Sequence, residues 1–342
     1  MSSPIIQSSP AMAPSKKASK LSLFTVIAIA LALVGILVPQ VLPWIKTPFI
    51  FTTAFGIAAL GVSILVRAGQ VSFGHAMYMC LSGYFVAYMS RWIQGLDTIL
   101  LILAGTAFSA FSGLVIGSFV VRYRTIFFGM LNLALSMVLF AALGKFYDYT
   151  GGTDGMRVMR TAIFGVELER DGFESALLYL SVGLAVFVGY AIYRYFRSPA
   201  GEALTAVKTN ETRLEYVGIS TYRVFLMGYV LSATLCGLAG SIFAISQGLV
   251  TPEMGYWVRS GEIVFISILG GVLHPVGAFI GSLIFEFVKL YAAAYITGAW
   301  QMTLGIVLLI MVFFAPDGVA GLLAKRAAKK AAVNQKQGGQ RQ

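Results

Sequence analysis

The residues of this 342-residue chain whose types and spacing invite chemistry are two histidines, two cysteines and one acid–base pair. His75 lies in RAGQVSFGHA (67–76) and His274 in GGVLHPVGA (270–278), both Gly-rich breaks between apolar runs. An imidazole in such a turn is either a structural hydrogen-bonding group or a ligand or proton relay. Glu286 and Lys289 stand three apart in FIGSLIFEFVKLYAAAYI, so they share a helix face and can neutralise one another. That pair either lines a translocation path or fixes helix packing, with Lys289 reaching toward the interface. Gln70, Ser72, Asn132 and Ser136 are further polar positions in apolar segments, facing a path or bonding across helices. Cys80 and Cys236 sit inside apolar runs and read as small buried hydrophobes, neither a disulfide nor a metal site. The chain has no H-E-x-x-H zinc motif, no G-x-S-x-G nucleophile elbow and no G-x-x-x-x-G-K-[ST] phosphate loop. The expectation is a chain with no catalytic residue, no metal and no bound cofactor, so that any ATP it depends on is hydrolysed by another chain.

The elements that must position these residues are membrane spans. Apolar residues make up 58% of the sequence and mean hydropathy is +0.82. Spanning hydrocarbon takes about 20 mostly apolar residues, because lipid offers no partner for open backbone groups. Runs at 21–38, 48–66, 73–90, 98–121, 126–144, 176–193, 224–246, 276–296 and 300–315, with a shorter piece at 261–273, predict an all-α polytopic fold of about ten helices with Gly-rich interruptions. Ten, or eight with a re-entrant pair near 261–273, returns the chain to the side on which it began.

The net charge of +11 takes its meaning from position. With the N-terminus inside, seventeen Lys and Arg residues fall on the inner side, including Lys16, Arg67, Arg124, Arg194, Lys208 and the six from Lys325 to Arg341, against seven outside, among them Lys46, Lys145 and Arg259. That asymmetry places both ends in the cytoplasm and excludes a nucleic-acid partner as the reason for the charge. The first run reads as a retained anchor, since no convincing cleavage site follows it. Residues 1–20 and 324–342 read as mobile cytoplasmic tails, the second basic, flanking a permease domain at 21–323. Glycines four apart in GLVIG (113–117) and GAFIG (277–281) suit close helix packing. Interrupted helices of the kind at 67–76 and 270–278, which contains Gly270 and Gly271, line cavities where freed backbone groups find partners. An outer loop at about 146–174 holds a small lid or lateral helix.

The inner loop 197–220, RSPAGEALTAVKTNETRLEYVGIS, is unusually charged for this chain. Ser198 before Pro199 is a good helix start, Asn210 caps a second short helix and Gly218 closes it. Ala200, Leu204, Val207 and Leu214 form an apolar stripe that Glu211 interrupts. Glu202, Glu211 and Glu215 balance the basic residues, which suits a protein groove better than anionic lipid.

This loop resembles the coupling segment of ABC importer permeases, with Gly201, Glu202, Ala203 and Gly218 in the matching places. In order, RAGQVSFGHAMYMCLSGY, TGGTDGM (150–156), the coupling loop, LCGLAGSIFA (235–244), GGVLHPVGAFIG and FFAPDGVAGLL (313–323) are similar to LivM-type permeases of branched-chain amino-acid ABC importers, over residues 45–323. The chain departs from that pattern at Leu273 and His274 and at Met77, Tyr78, Met79 and Cys80, which border the implied pathway and bear on the cargo. The resemblance implies a permease subunit in the bacterial inner (plasma) membrane, paired with a second homologous permease, two cytoplasmic ATPases that bind ATP and Mg²⁺, and a periplasmic binding protein. Its cargo would be branched-chain amino acids or, within the same family, urea, amides or aromatic acids. An ion-coupled secondary transporter using Glu286, Lys289 and the histidines is the other class of reading. In the first, the coupling residues are Gly201, Glu202, Ala203, Leu204, Val207, Glu211, Leu214 and Gly218.

Overall fold

Apolar segments deprived of water close their backbone hydrogen bonds within themselves, and helices are the simplest way to do so. The computed structural model describes residues 18–93, 95–272, 274–295, 300–314 and 318–322. Most of the two tails therefore lies outside the described residues, as do Leu273 and residues 315–317 and 323 of the last motif. In chain order the helices are α1 (Ala18–Val41), α2 (Lys46–Arg67), α3 (Ala76–Trp92), α4 (Thr98–Val120), α5 (Thr125–Lys145), α6 (Tyr147–Thr150), α7 (Arg170–Phe196), α8 (Pro199–Thr209), α9 (Glu211–Tyr216), α10 (Thr221–Gln247), α11 (Trp257–Gly270), α12 (Pro275–Tyr295) and α13 (Trp300–Phe314).

Six helices among the described residues are long and apolar enough to cross a membrane: α2 with the turn before it, α4, α5, α7, α10 and α12. The chain is an all-α, multi-pass membrane protein. Helix α1 runs 24 residues, of which Thr25–Val41 counts as a shorter apolar helix, and α3, α11 and α13 are shorter than a perpendicular span requires, at 17, 14 and 15 residues. Length alone therefore does not carry the expected count of about ten.

Helices α2 and α10 form the centre. Helix α10 packs on α4, α2 and α3, while α2 also takes α12, α7 and α11. Ile50, Ile57, Leu60 and Ile64 of α2 are completely buried. Lipid tails are as apolar as these side chains, so small residues that let backbones meet do much of the holding. A Cβ on Gly113 would come within 2.5 Å of Ala233 Cβ, and one on Gly281 within 2.4 Å of Ile266 O. The GLVIG and GAFIG glycines thus serve helix contacts. In contrast, α5 turns Ile126, Phe127, Met130 and Val138 outward and buries little beyond Phe128, Asn132 and Ser136.

The loop at 146–174 holds α6, a 3-10 turn at Gly152–Asp154 and strand β1 (Met156–Arg157). Strand β2 (Leu249–Val250) pairs with β1 antiparallel, Met156 opposite Val250, which ties the loop to the end of α10. The TGGTDG motif builds this attachment. Gly155 has φ +76°, and a Cβ there would stand 2.4 Å from Val250 O.

Candidate functional site

The loop at 197–220 folds as two capped helices. Ser198 Oγ accepts from the Gly201 amide at 3.3 Å and Asn210 Oδ1 from the Arg213 amide at 3.1 Å, with Pro199 in the first turn of α8. Caps of this kind contribute about 1 kcal/mol each. Gly218, at φ +82°, follows α9 with open space around it. Gly201 is required for a different reason: a Cβ there would be 2.2 Å from Tyr195 O, so the start of α8 is pressed onto the end of α7.

The apolar stripe turns inward. Leu204, Val207 and Leu214 are 0%, 4% and 8% exposed, and Ala203 is half-buried. Leu204 fills a notch in α10, where a Cβ on Gly228 would be 2.9 Å from Leu204 Cδ1. The Lys208 stem lies over Gly69, which has φ +77°, at the start of the first helix break. Arg124, in the turn between α4 and α5, donates from Nε to Glu211 Oε1 at 2.8 Å, also donates to Val121 O, and lies 4.6 Å above the Phe225 ring. Thr221 Oγ1 donates to Glu215 Oε1 at 2.9 Å. Leu204, Val207, Glu211 and Leu214 therefore seat the helix pair on the protein's own core, leaving Glu202, Thr205, Thr212 and Arg213 outward together with Tyr216 and Val217, 87% and 77% exposed.

The first break is held by this seat. Gln70 Oε1 accepts from the Thr125 amide at 2.6 Å, next to Arg124, and Thr125 has a left-handed φ of +56°. Ser72 Oγ takes the Gly74 amide at 3.3 Å and is 2.6 Å from His75 Nδ1. The Ala76 amide donates to Ser260 Oγ of α11 at 3.0 Å. The Gly74 and Ala76 amides of the break thereby find side-chain acceptors, as a helix interrupted in lipid requires. His75 is fully buried, edge-on to Tyr78 and Tyr229, and its Nε2 has no hydrogen-bond partner among the described residues. Tyr78 donates to Tyr229 at 2.9 Å, and Tyr229 to Asn132 Oδ1 at 2.6 Å. Beside the break a cleft of about 410 Å³ opens between Val71 and Phe73 on one side and Ile126, Met130 and Leu133 of α5 on the other.

The two breaks meet. Arg67 Nε donates to Val272 O at 3.1 Å, and its guanidinium lies 3.8 Å over the Phe196 ring. His274 Nδ1 accepts from the Val276 amide at 3.3 Å, so this histidine caps α12. Gly270 and Gly271 form the hairpin corner, where a Cβ on Gly270 would come within 2.0 Å of Gly277 O.

Glu286 and Lys289 do not bond to each other. Lys289 Nζ is 3.3 Å from both carboxylate oxygens of Glu262 on α11, and Arg259 Nη1 donates to Glu262 Oε2 at 2.7 Å. A rise of about 1.5 Å per residue sets Lys289 roughly 20 Å along α12 from Pro275, toward the end remote from α8. Sequence reasoning missed Glu262, although it is the one acid in a 14-residue apolar helix, and counted Arg259 only as a marker of side. Arg124 and Gly228 gave no local signal, because their partners lie on other elements. The described residues contain no group of three or more metal-ligating side chains.

A family model described as "Branched-chain amino acid transport system / permease component" matches residues 45–315. Over 243 residues the chain is 27% identical to the high-affinity branched-chain amino acid transport system permease protein LivM of Salmonella typhimurium, covering 65% of this chain and 57% of that protein. It is 23% identical over 290 residues to the LivH permease protein of the same kind of system in Escherichia coli, covering 79% of this chain and 92% of that one. It is also 24% identical over 293 residues to the autoinducer 2 import system permease protein LsrC of an Enterobacter species, covering 82% of each. The chain thus spans only a little over half the length of the LivM relative it matches. No solved structure matches it.

Proposed function

The chain belongs to the family of permease components of branched-chain amino acid transport systems, and from that premise we propose that it is one membrane subunit of an ATP-driven importer. In this reading it sits in a bacterial inner membrane with about ten spans and both ends in the cytoplasm. A second homologous permease, two ATPases that bind ATP and Mg²⁺, and a periplasmic binding protein complete the assembly, and the cargo is a branched-chain amino acid.

One observation carries the reading beyond family membership: α8 and α9 are seated on the ends of three other elements while their charged face stays free. Leu204 engages α10 at Gly228, Lys208 covers Gly69 of the first break, and Glu211 holds Arg124 at the α4–α5 turn. A push on the free face is therefore delivered to all three. Gln70, bonded to Thr125, obliges the break to follow the α4–α5 turn. ATPase closure that displaced α8 and α9 would shift the break and with it the α5 face, a rigid-body switch whose equilibrium nucleotide biases. The outward residues Glu202, Thr205, Thr212, Arg213, Tyr216 and Val217 make the docking face, and the buried stripe transmits.

The experiment is uptake of labelled leucine, urea and benzoate into vesicles containing the complete complex, with and without internal ATP. Leucine uptake that requires ATP is expected. Uptake by this chain alone on an ion gradient would overturn the reading.

A further inference from the structure

Two described carboxylates are buried among apolar helices, Glu262 at 7% and Glu286 at 8% exposed. Their circumstances differ. Glu262 accepts from Arg259 and Lys289, whereas Glu286 Oε1 has no hydrogen-bond partner among the described residues. A buried carboxylate oxygen left open is costly, so this position is poised for a donor. Glu286 lies about 4.5 Å deeper along α12 than Lys289. The side chains of Arg259 and Lys289 are each 24% exposed, so a cationic rim stands open above the carboxylate. Aromatic rings line the place: Arg259 lies 5.6 Å over Phe55 and 5.9 Å over Phe243, and Lys289 5.9 Å over Phe285.

We propose that Glu286 accepts the ammonium group of an amino acid in transit while Lys289 and Arg259 hold its carboxylate at the rim. This rests on the reading of the chain as an amino acid permease and names the chemistry of one station on its path. An α-amino acid carries both charges on a single carbon, and α12 offers the complementary anion and cation about one turn apart. Glu262 keeps the two cations paired when no cargo is present, so the rim carries no lone positive charge. The rings of Phe55, Phe243 and Phe285 suit a branched aliphatic side chain. Benzoate has no donor for Glu286, and urea, which can donate N–H groups to it, has no carboxylate for Lys289 and Arg259, so only an amino acid engages both halves of the site.

The test uses the complete complex in vesicles with its binding protein, labelled leucine as probe, and Glu286→Gln and Glu286→Asp variants whose assembly is verified by co-purification. Glu286→Gln is expected to lower leucine uptake at least tenfold, with Glu286→Asp restoring part of it. In the wild-type complex, dicyclohexylcarbodiimide should label Glu286, read by mass spectrometry, and turnover with leucine should at least halve the labelling. If the assembled Gln variant transports leucine within twofold of wild type, the proposal is wrong. If the variants fail to assemble, the labelling decides: protection by leucine supports the site, and labelling that is absent or unaffected by leucine overturns it. A wild-type complex that carries urea or benzoate but not leucine refutes the cargo reading itself, and the ammonium site with it.

Discussion

The two ends of the bundle use charge in opposite ways. At the end bearing α8 and α9, charges sit at partly exposed positions with donors in place: Glu211 has Arg124 and Glu215 has Thr221. At the other end Glu262, Glu286, Arg259 and Lys289 gather between α11 and α12, and one carboxylate oxygen is left over. Exposed pairs contribute little, about 0–1 kcal/mol, so the first end relies on shape, through Gly201, Gly228 and Gly69, to hold its helices. Breaking a buried pair costs about 3–5 kcal/mol, so the second end is energetically committed to its charges. The difference teaches that charge stays on the surface at one end, where the proposed docking face lies, and holds a polar place within apolar surroundings at the other.

The largest expected effect tests that commitment. Glu262→Ala leaves Arg259 and Lys289 facing each other without their shared carboxylate, and should destabilise the detergent-solubilised permease by about 3–5 kcal/mol, seen as a lowered Tm. A cost under about 1 kcal/mol would mean that water screens the cluster, and the contrast between the two ends would collapse.

Next is the shape of the seat. Gly228→Leu drives a side chain into the space of Leu204, an overpacking that costs about 1–3 kcal/mol and lifts α8. Gly183→Leu is the control, because a Cβ at Gly183 on α7 meets nothing within 4 Å. Leucine uptake should fall far more in the first variant than in the second. Equal losses would show that α8 needs no notch.

Much of this was legible in the sequence because the physics is local. Apolar run length marked the membrane helices without fixing their number, and Ser198, Asn210 and Gly218 marked α8 and α9 by the chemistry of caps and turns. What escaped depends on where elements meet. The stripe of Leu204, Val207 and Leu214 is the same string whether it faces a partner or the protein's own α10, so its inward direction needed the packing. Glu286 and Lys289 have the spacing of an intrahelical pair, yet Glu262 on α11 takes the lysine. The two-residue strands β1 and β2 are too short to leave a period-2 pattern, and only their pairing across some 90 residues defines them.

A smaller structural effect with a large functional one is expected at the proposed docking face. Glu202→Lys reverses an exposed charge that touches none of the seat, so stability should stay within about 0.5 kcal/mol of wild type. Leucine uptake by the complex should nevertheless fall at least tenfold, and co-purification with the ATPases should weaken. Retention of both would move the docking face away from Glu202, toward Tyr216 and Val217.

A small effect on stability is expected as well at the link between seat and break. Arg124 and Glu211 are 23% and 36% exposed, so solvent screens their pair, and a double-mutant cycle with Arg124→Met and Glu211→Gln should yield a coupling below about 1 kcal/mol. The consequence appears elsewhere. Arg124 precedes Thr125, whose amide holds Gln70, so loosening the turn should speed hydrogen exchange at the amides of residues 69–75 while α8 amides stay protected. Unchanged exchange at the break would mean that α8 and α9 act on it only through Lys208 and Gly69, a steric contact with no electrostatic component, and the seat would then resemble the charged end of the bundle even less.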